Sequence, residues 1–152
     1  MHAFVFVAAD ARYALDANCI QAVHPLVRAR PVAGAPPWLA GVIDVHGELV
    51  PLIDAAQLLS GGHVKPTLGA RVLLVDTGEV AGQVRARFGL AVDRLLDPVE
   101  LDLDGAWGGS GALPWLGAVV HHEGAAAQLF DPAALATQHP QLTAPRHGGA
   151  LA

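Results

Sequence analysis

The sequence has a single cysteine, few positive charges and no long apolar run, and each scarcity removes a class of function. Cys19 has no partner for an internal disulfide, which suits a chain that folds in a reducing compartment. No histidine lies within a few residues to activate it, so it reads as a small core hydrophobe. Nine Lys+Arg stand against 14 Asp+Glu, a net charge of −5. Arg28 and Arg30, with Arg85 and Arg87 further on, are too sparse to track a phosphate backbone, so no nucleic-acid partner is expected. No stretch reaches the roughly 18 apolar residues of a membrane-spanning helix. The first residues also lack the basic region of a signal peptide, so a cytoplasmic protein without direct membrane insertion is expected.

Catalytic signatures are equally scarce. The chain holds no H-x-x-x-H or C-x-x-C pair, no G-x-S-x-G, no P-loop and no dinucleotide fingerprint. Eight histidines are many for 152 residues and make a metal-dependent hydrolase the alternative class to weigh. They are scattered, however, and the adjacent pair His121-His122 would point to opposite faces of a strand, so no metal, cofactor or catalytic residue is expected. Asp54 and Asp131 each precede a short helical pattern, where N-capping accounts for a carboxylate without acid–base chemistry.

What is present is core material. Of the residues, 53% are hydrophobic and 15% charged, with a mean hydropathy of +0.40. A chain of this length buries roughly 70% of its unfolded surface, and so little charge implies apolar surface left for a partner to cover. The apolar segments are short, rich in Val, Leu and Ile, and punctuated by Gly, Pro, Asp and Asn, the pattern of a mainly β protein. Strands are expected at 4–9, 13–15 and 18–24, with a helical turn at 16–18. Residues 27–38 contain Pro31, Pro36 and Pro37 and read as an ordered loop. Residues 41–45 and 49–53 form a hairpin about His46-Gly47-Glu48, followed by a helix over 55–59 capped by Asp54, and Pro51 suggests an edge strand or a bulge.

After a polar connector at 60–69, strands are expected at 71–76, 88–92 and from 93 to about 101, then a long glycine-rich loop at 102–115. A last hairpin, 116–121 with 125–130, turns at Glu123-Gly124 and leads through Asp131-Pro132 into a helix over 133–138. Residues 139–152 read as a frayed tail. The order of elements in 41–59 recurs in 116–135, which points to two small barrels with approximate lobes 1–60 and 70–138. Strand exchange between the lobes is compatible with this order.

The stretch Ala35-Pro36-Pro37-Trp38-Leu39-Ala40-Gly41-Val42-Ile43-Asp44-Val45-His46-Gly47-Glu48-Leu49-Val50-Pro51-Leu52-Ile53-Asp54 resembles the signature of the CheW-like domain family. In that signature a proline-led approach runs into a "GVINLRG" hairpin, then "VVPVIDL" and a helix. Phe4-Val5-Phe6-Val7, Tyr13-Ala14-Leu15, Ile20-Gln21-Ala22-Val23, Arg71-Val72-Leu73-Leu74-Val75, Phe88-Gly89-Leu90-Ala91-Val92-Asp93 and Leu129-Phe130-Asp131 resemble the family's other segments in the same order.

The resemblance implies two SH3-like five-stranded β-barrel subdomains packed together, within a domain spanning 1–138. It implies a non-catalytic scaffold or adaptor of a bacterial chemosensory array, binding the regulatory domain of a CheA-type histidine kinase and the cytoplasmic tip of a chemoreceptor. Recruitment to membrane receptor arrays follows, and self-association through exposed barrel edges is compatible. The positions it marks for partner contact are Ile20, Ala22, Gly41, Val42, Ile43, His46, Gly47, Pro51 and Val92.

Three residues depart from the pattern. His46 stands in place of the usual Arg, Ala22 in place of an acid, and Ala55 in place of a leucine. The first two exchanges weaken polar contacts at those positions, since neutral histidine offers far less than a guanidinium fork. An auxiliary adaptor of a related, non-chemotaxis pathway is the corresponding alternative. A small β-barrel that binds a peptide through Trp38, Trp107 and Trp115 is another.

Overall fold

Alternating short strands and tight turns give a chain that can bury side chains only by curling sheets over themselves. In the computed structural model, described for residues 1–109, 111 and 113–145, the strands are β1 (His2–Ala8), β2 (Ala11–Asp16), β3 (Ile20–Pro25), β4 (Leu39–Val45), β5 (Glu48–Asp54), β6 (Arg71–Asp76), β7 (Arg87–Val92), β8 (Arg94–Leu95), β9 (Val99–Glu100), β10 (Leu116–His122) and β11 (Ala125–Phe130). Helix α1 (Ala55–Ser60) follows β5 and α2 (Pro132–Gln138) follows β11. A 3₁₀ turn at Ala17–Cys19 is capped by Asp16, whose side chain accepts from the Asn18 N–H.

Two sheets result. One has five strands in the order β3-β6-β7-β5-β4; the other has six, β10-β11-β2-β1-β8, with β9 also paired to β1. Each is SH3-like without being a closed barrel. Hairpin β1–β2 therefore joins the sheet built from C-terminal strands, while hairpin β6–β7 joins β3, β4 and β5. Each exchanged hairpin enters through a parallel pairing, β11 with β2 and β5 with β7.

Apolar side chains divide among three clusters. Ile43, Val50, Leu52, Val72 and Leu74 fill the five-stranded lobe. A smaller, alanine-rich set including Val5, Ala14, Val120 and Ala127 fills the six-stranded lobe. Between the lobes, Phe6, Leu15, Ile53, Leu73, Phe88, Leu90, Val92 and Leu135 form the central core. Strands β6 and β7 thus have both faces covered, and every residue of each after the first is buried.

Three local expectations change. The strand expected from 93 to 101 is broken into the two-residue strands β8 and β9, because the chain turns at Asp97-Pro98. Pro51 lies neither on an edge strand nor in a bulge, since β5 runs between β4 and β7. Its partner Val42 gives both backbone groups to Arg30 and none to Pro51, and β7 pairs with β5 only from Leu52 onward. The missing N–H is required on neither side.

Residues 139–145 do not fray. Leu142 is fully buried in the central core, Thr143 pairs with Ala86, and the Ala144 N–H donates to the Arg85 carbonyl at 2.8 Å. The rest of the expected tail, 146–152, lies outside the described residues.

Candidate functional site

The β4–β5 hairpin and the segment before it build the most distinctive face. Its turn holds His46 at φ 51° and Gly47 at φ 86°, the doubly left-handed conformation of a two-residue hairpin loop. Asp44 Oδ1 accepts from the Gly47 N–H at 2.7 Å and fixes the turn. At the other end of β4, Gly41 has φ 147°, and a Cβ there would overlap the carbonyl oxygen of Arg30. The space that glycine opens is taken by the chain's own backbone: Arg30 and Val42 exchange both N–H···O bonds, at 2.8 and 2.9 Å.

That bridge folds the proline-rich segment back beside β4 and creates a groove of about 710 Å³ lined by Val27, Arg28, Arg30, Pro31, Val32, Val42 and Leu49 among others. Val27, Val32 and Leu49 are exposed, Leu49 at 69%. Among the described residues, the guanidinium groups of Arg28 and Arg30 make no ion pair or side-chain hydrogen bond. The surface is therefore apolar and flanked by free positive charge, in a molecule whose net charge is −5.

The marked positions distribute unevenly around this face. His46 and Gly47 are exposed at the hairpin tip, and Val42 and Pro51 are half-buried on the paired strands. Ile20 and Ala22 are half-buried on β3, Ile20 against the central core and Ala22 against the core of the five-stranded lobe. Gly41, Ile43 and Val92 are buried, with Val92 fully enclosed between the lobes. Sequence reasoning passed over Val27, Val32 and Leu49. The alternation that buries Val50 and Leu52 already turned Leu49 outward, so its signal was in the pattern.

Beside the hairpin, charged groups lock the sheet end. Arg87 donates to Glu48 through Nε at 3.0 Å and Nη2 at 3.2 Å, and through Nη1 to Gln21 at 2.7 Å and Asp76 at 3.1 Å. Arg85 forks onto the same Asp76 at 3.0 and 2.9 Å. Burial pushes the Asp76 carboxyl up, but hydrogen bonds from Arg85, the Gly78 N–H and Arg87, with the Arg85 charge, outweigh it and hold the group below its ordinary value. A guanidinium thus stands next to a hairpin whose tip carries histidine.

Between the lobes runs a second groove of about 580 Å³, bounded by Asn18, Cys19, Val80, Leu116, Phe130 and Pro132 among others. Burial, then the nearby carboxylates of Asp16, Asp131 and Asp76, push the Cys19 thiol up to about 11, which keeps it protonated and unreactive. Among the described residues no three His, Cys, Asp or Glu side chains converge as a metal site, and no helix is long and apolar enough to cross a membrane. Asp54 and Asp131 accept from Gln57 N–H and Ala134 N–H, as helix caps do.

Fold and site together define a two-lobed β architecture with an exposed apolar groove on one lobe and a second groove between the lobes. The model of the CheW-like domain matches residues 2–139, and the chain belongs to that family. Its members are non-catalytic scaffolds or adaptors, and a chemotaxis-type scaffold is the role this membership supports. Among solved structures, the fold is similar to that of the scaffolding protein TtCheW from Thermoanaerobacter tengcongensis, with a TM-score of 0.70 and 19% identity over 86% of this chain and 88% of that one. No curated protein matches the sequence.

Proposed function

We propose that this chain couples a chemoreceptor to a CheA-type histidine kinase, with the kinase regulatory domain on the β4–β5 face and the receptor's helical tip in the groove between the lobes. The observation that carries the reading is the exposed groove of Val27, Val32, Val42 and Leu49 beside Arg28 and Arg30, which have no side-chain partner among the described residues. Such a face supplies a desolvating centre with a charged rim, the anatomy of a specific protein interface. Of the marked positions, Val42, His46, Gly47 and Pro51 are the direct contacts, with Ile20 and Ala22 at the β3 edge. Gly41, Ile43 and Val92 act from beneath by holding the face in shape. The domain is 1–138 with its following segment packed on it, and recruitment to membrane receptor arrays would place it in the cytoplasm.

The inter-lobe groove suits a helix tip because Val80, Leu116 and Pro132 give it apolar walls and Asp16 and Asp131 a polar margin. A calorimetric titration against the kinase regulatory domain, and separately against a receptor hairpin peptide, tests both halves. Saturable binding in the micromolar range, about −8 kcal/mol, is expected for the kinase domain. Absence of heat with any such kinase would remove the coupling role and leave the fold untouched.

A further inference from the structure

The two lobes repeat one frame and meet at a side chain that the repeat lacks. Trp107 exchanges both backbone bonds with Val119, at 2.9 and 2.8 Å, as Arg30 does with Val42. Its side chain is exposed, as are Asp102, Leu103 and Asp104 in the loop before it. Trp38 and Trp115 are equivalent in the same way. Each directly precedes the first strand of a hairpin, β4 or β10. Each carbonyl accepts from the N–H of the aspartate that caps the following helix, Asp54 or Asp131, at 2.8 Å. The helices then diverge. α1 ends at Gly61 with φ 78°, and at the offset that relates Trp38 to Trp115, Gly62 stands where the second lobe has His139. α2 runs one residue further and ends on His139 at φ −131°. That residue is fixed on both sides: its N–H donates to the Leu135 carbonyl at 2.9 Å, and its carbonyl accepts from the Leu142 N–H at 3.0 Å. Its imidazole packs against both tryptophans, with centroids 4.7 Å from Trp38 and 5.7 Å from Trp115. Trp115 is buried and its Nε1–H has no hydrogen-bond partner among the described residues, so packing alone sets where that indole sits.

Each end of this contact belongs to a different surface. Pro114 and Leu116, the chain neighbours of Trp115, line the groove between the lobes, as do Pro132 and Ala133 at the start of α2. Trp38 leads directly into β4, a strand of the exposed face. Helix α2 is seated in the central core through Leu135 and Ala136. It joins the groove wall at one end to His139 at the other, and a packed helix transmits displacement as a unit. We infer that His139 is the pin between the lobes, holding the two tryptophans in one register and linking the inter-lobe groove to the β4–β5 face. Without its ring each lobe keeps its own core, and the two faces respond independently. The inference deepens the coupling role proposed above by giving the route between its two faces, and its first test needs neither partner.

The indole N–H resonances of the full chain provide that test, with thermal melts confirming that each variant is folded. Leu116→Ala, in the groove wall, should shift the Trp38 indole signal when His139 is present. In a His139→Ala background the shift should fall by about half or more, and His139→Phe, which keeps a ring, should restore it. Leu142→Ala loosens the same segment without removing the ring, and should leave the transmission in place. A Trp38 signal indifferent to Leu116→Ala, or shifted equally with and without His139, overturns the pin. Calorimetry with both partners extends the test. A receptor hairpin peptide should tighten kinase-domain binding by about fivefold or more in the wild type. In His139→Ala the gain should drop below about twofold, with each partner's separate affinity held within about twofold. No gain in the wild type, or a gain that survives in His139→Ala, overturns the link. A chain that binds neither partner overturns the coupling role alone, and the resonance measurement still decides the pin.

Discussion

The two lobes are the same structure written twice with different surfaces. At a constant offset along the chain, His46-Gly47 corresponds to Glu123-Gly124, both pairs with positive φ. Asp54 and Asp131 cap the two helices, and their N–H groups donate to the carbonyls of Trp38 and Trp115, each at 2.8 Å. Both tryptophans pack against one side chain, His139, with ring centroids 4.7 and 5.7 Å away. Backbone geometry is therefore repeated closely, while side chains at the bridges and turns are not: Arg30 against Trp107, His46 against Glu123. Shape comes from turns, caps and alternation, which tolerate many side chains. Partner choice comes from what the same frame displays, and this chain displays a basic-apolar groove on one lobe and an acidic-apolar loop on the other.

The comparison can be broken most severely at Gly41. Gly41→Ala sets a Cβ into the Arg30 carbonyl and should cost about 4 kcal/mol or more, or prevent folding. Gly117→Ala in β10 of the other lobe meets its nearest neighbour, Leu129 Cβ, at 3.4 Å. It should cost less than about 1 kcal/mol, and urea unfolding of the two variants measures the difference. Leu142→Ala removes a buried side chain from the core the lobes share and should cost about 3 kcal/mol by the same assay. A negligible effect there would show that residues 139–145 are not part of the folded unit.

Asp76→Asn breaks the buried Asp76–Arg85–Arg87 network of the five-stranded lobe and should cost about 2–3 kcal/mol. The corresponding support in the other lobe is lighter: Arg12 Nη1 bonds to the His122 ring at 2.9 Å and to its carbonyl at 3.0 Å. Arg12→Ala should cost about 1 kcal/mol. The Asp76 network also sets a pH dependence. Its folded-state pKa lies below the ordinary 3.8, so its contribution is present above that value and is lost as pH falls below it. Thermal melts between about pH 5 and pH 2 should show the wild type losing stability that Asp76→Asn has already lost.

The smallest change is His46→Arg. The side chain is exposed at the turn, so stability should move by less than about 0.5 kcal/mol. Kinase-domain affinity should rise severalfold if this position touches the partner, and unchanged affinity in calorimetry would assign His46 to the turn alone.

Local features were legible in the sequence because they depend on neighbours. The β4–β5 and β10–β11 hairpins, the turns at His46-Gly47 and Glu123-Gly124, and the caps at Asp54 and Asp131 stand at their expected places. Which sheet each hairpin joins was not legible, because the parallel pairings of β2 with β11 and β7 with β5 leave no local pattern. Val92 was marked for contact, with Ile20, Val42 and Ile43, as part of an apolar surface. It is buried because the outer face of β7 is itself covered by the second lobe. The groove escaped for a related reason: residues 27–32 look like part of a loop in sequence, and become a wall only when Arg30 pairs with Val42.

The most direct test of this account is amide chemical-shift mapping of the chain during titration with a CheA-type regulatory domain. The largest changes should fall on Arg28, Arg30, Val42, Gly47 and Leu49 of the five-stranded lobe, with the Trp107 loop little affected. Changes centred on Trp107 and β10, with the groove silent, would contradict the assignment of kinase binding to the basic-apolar lobe.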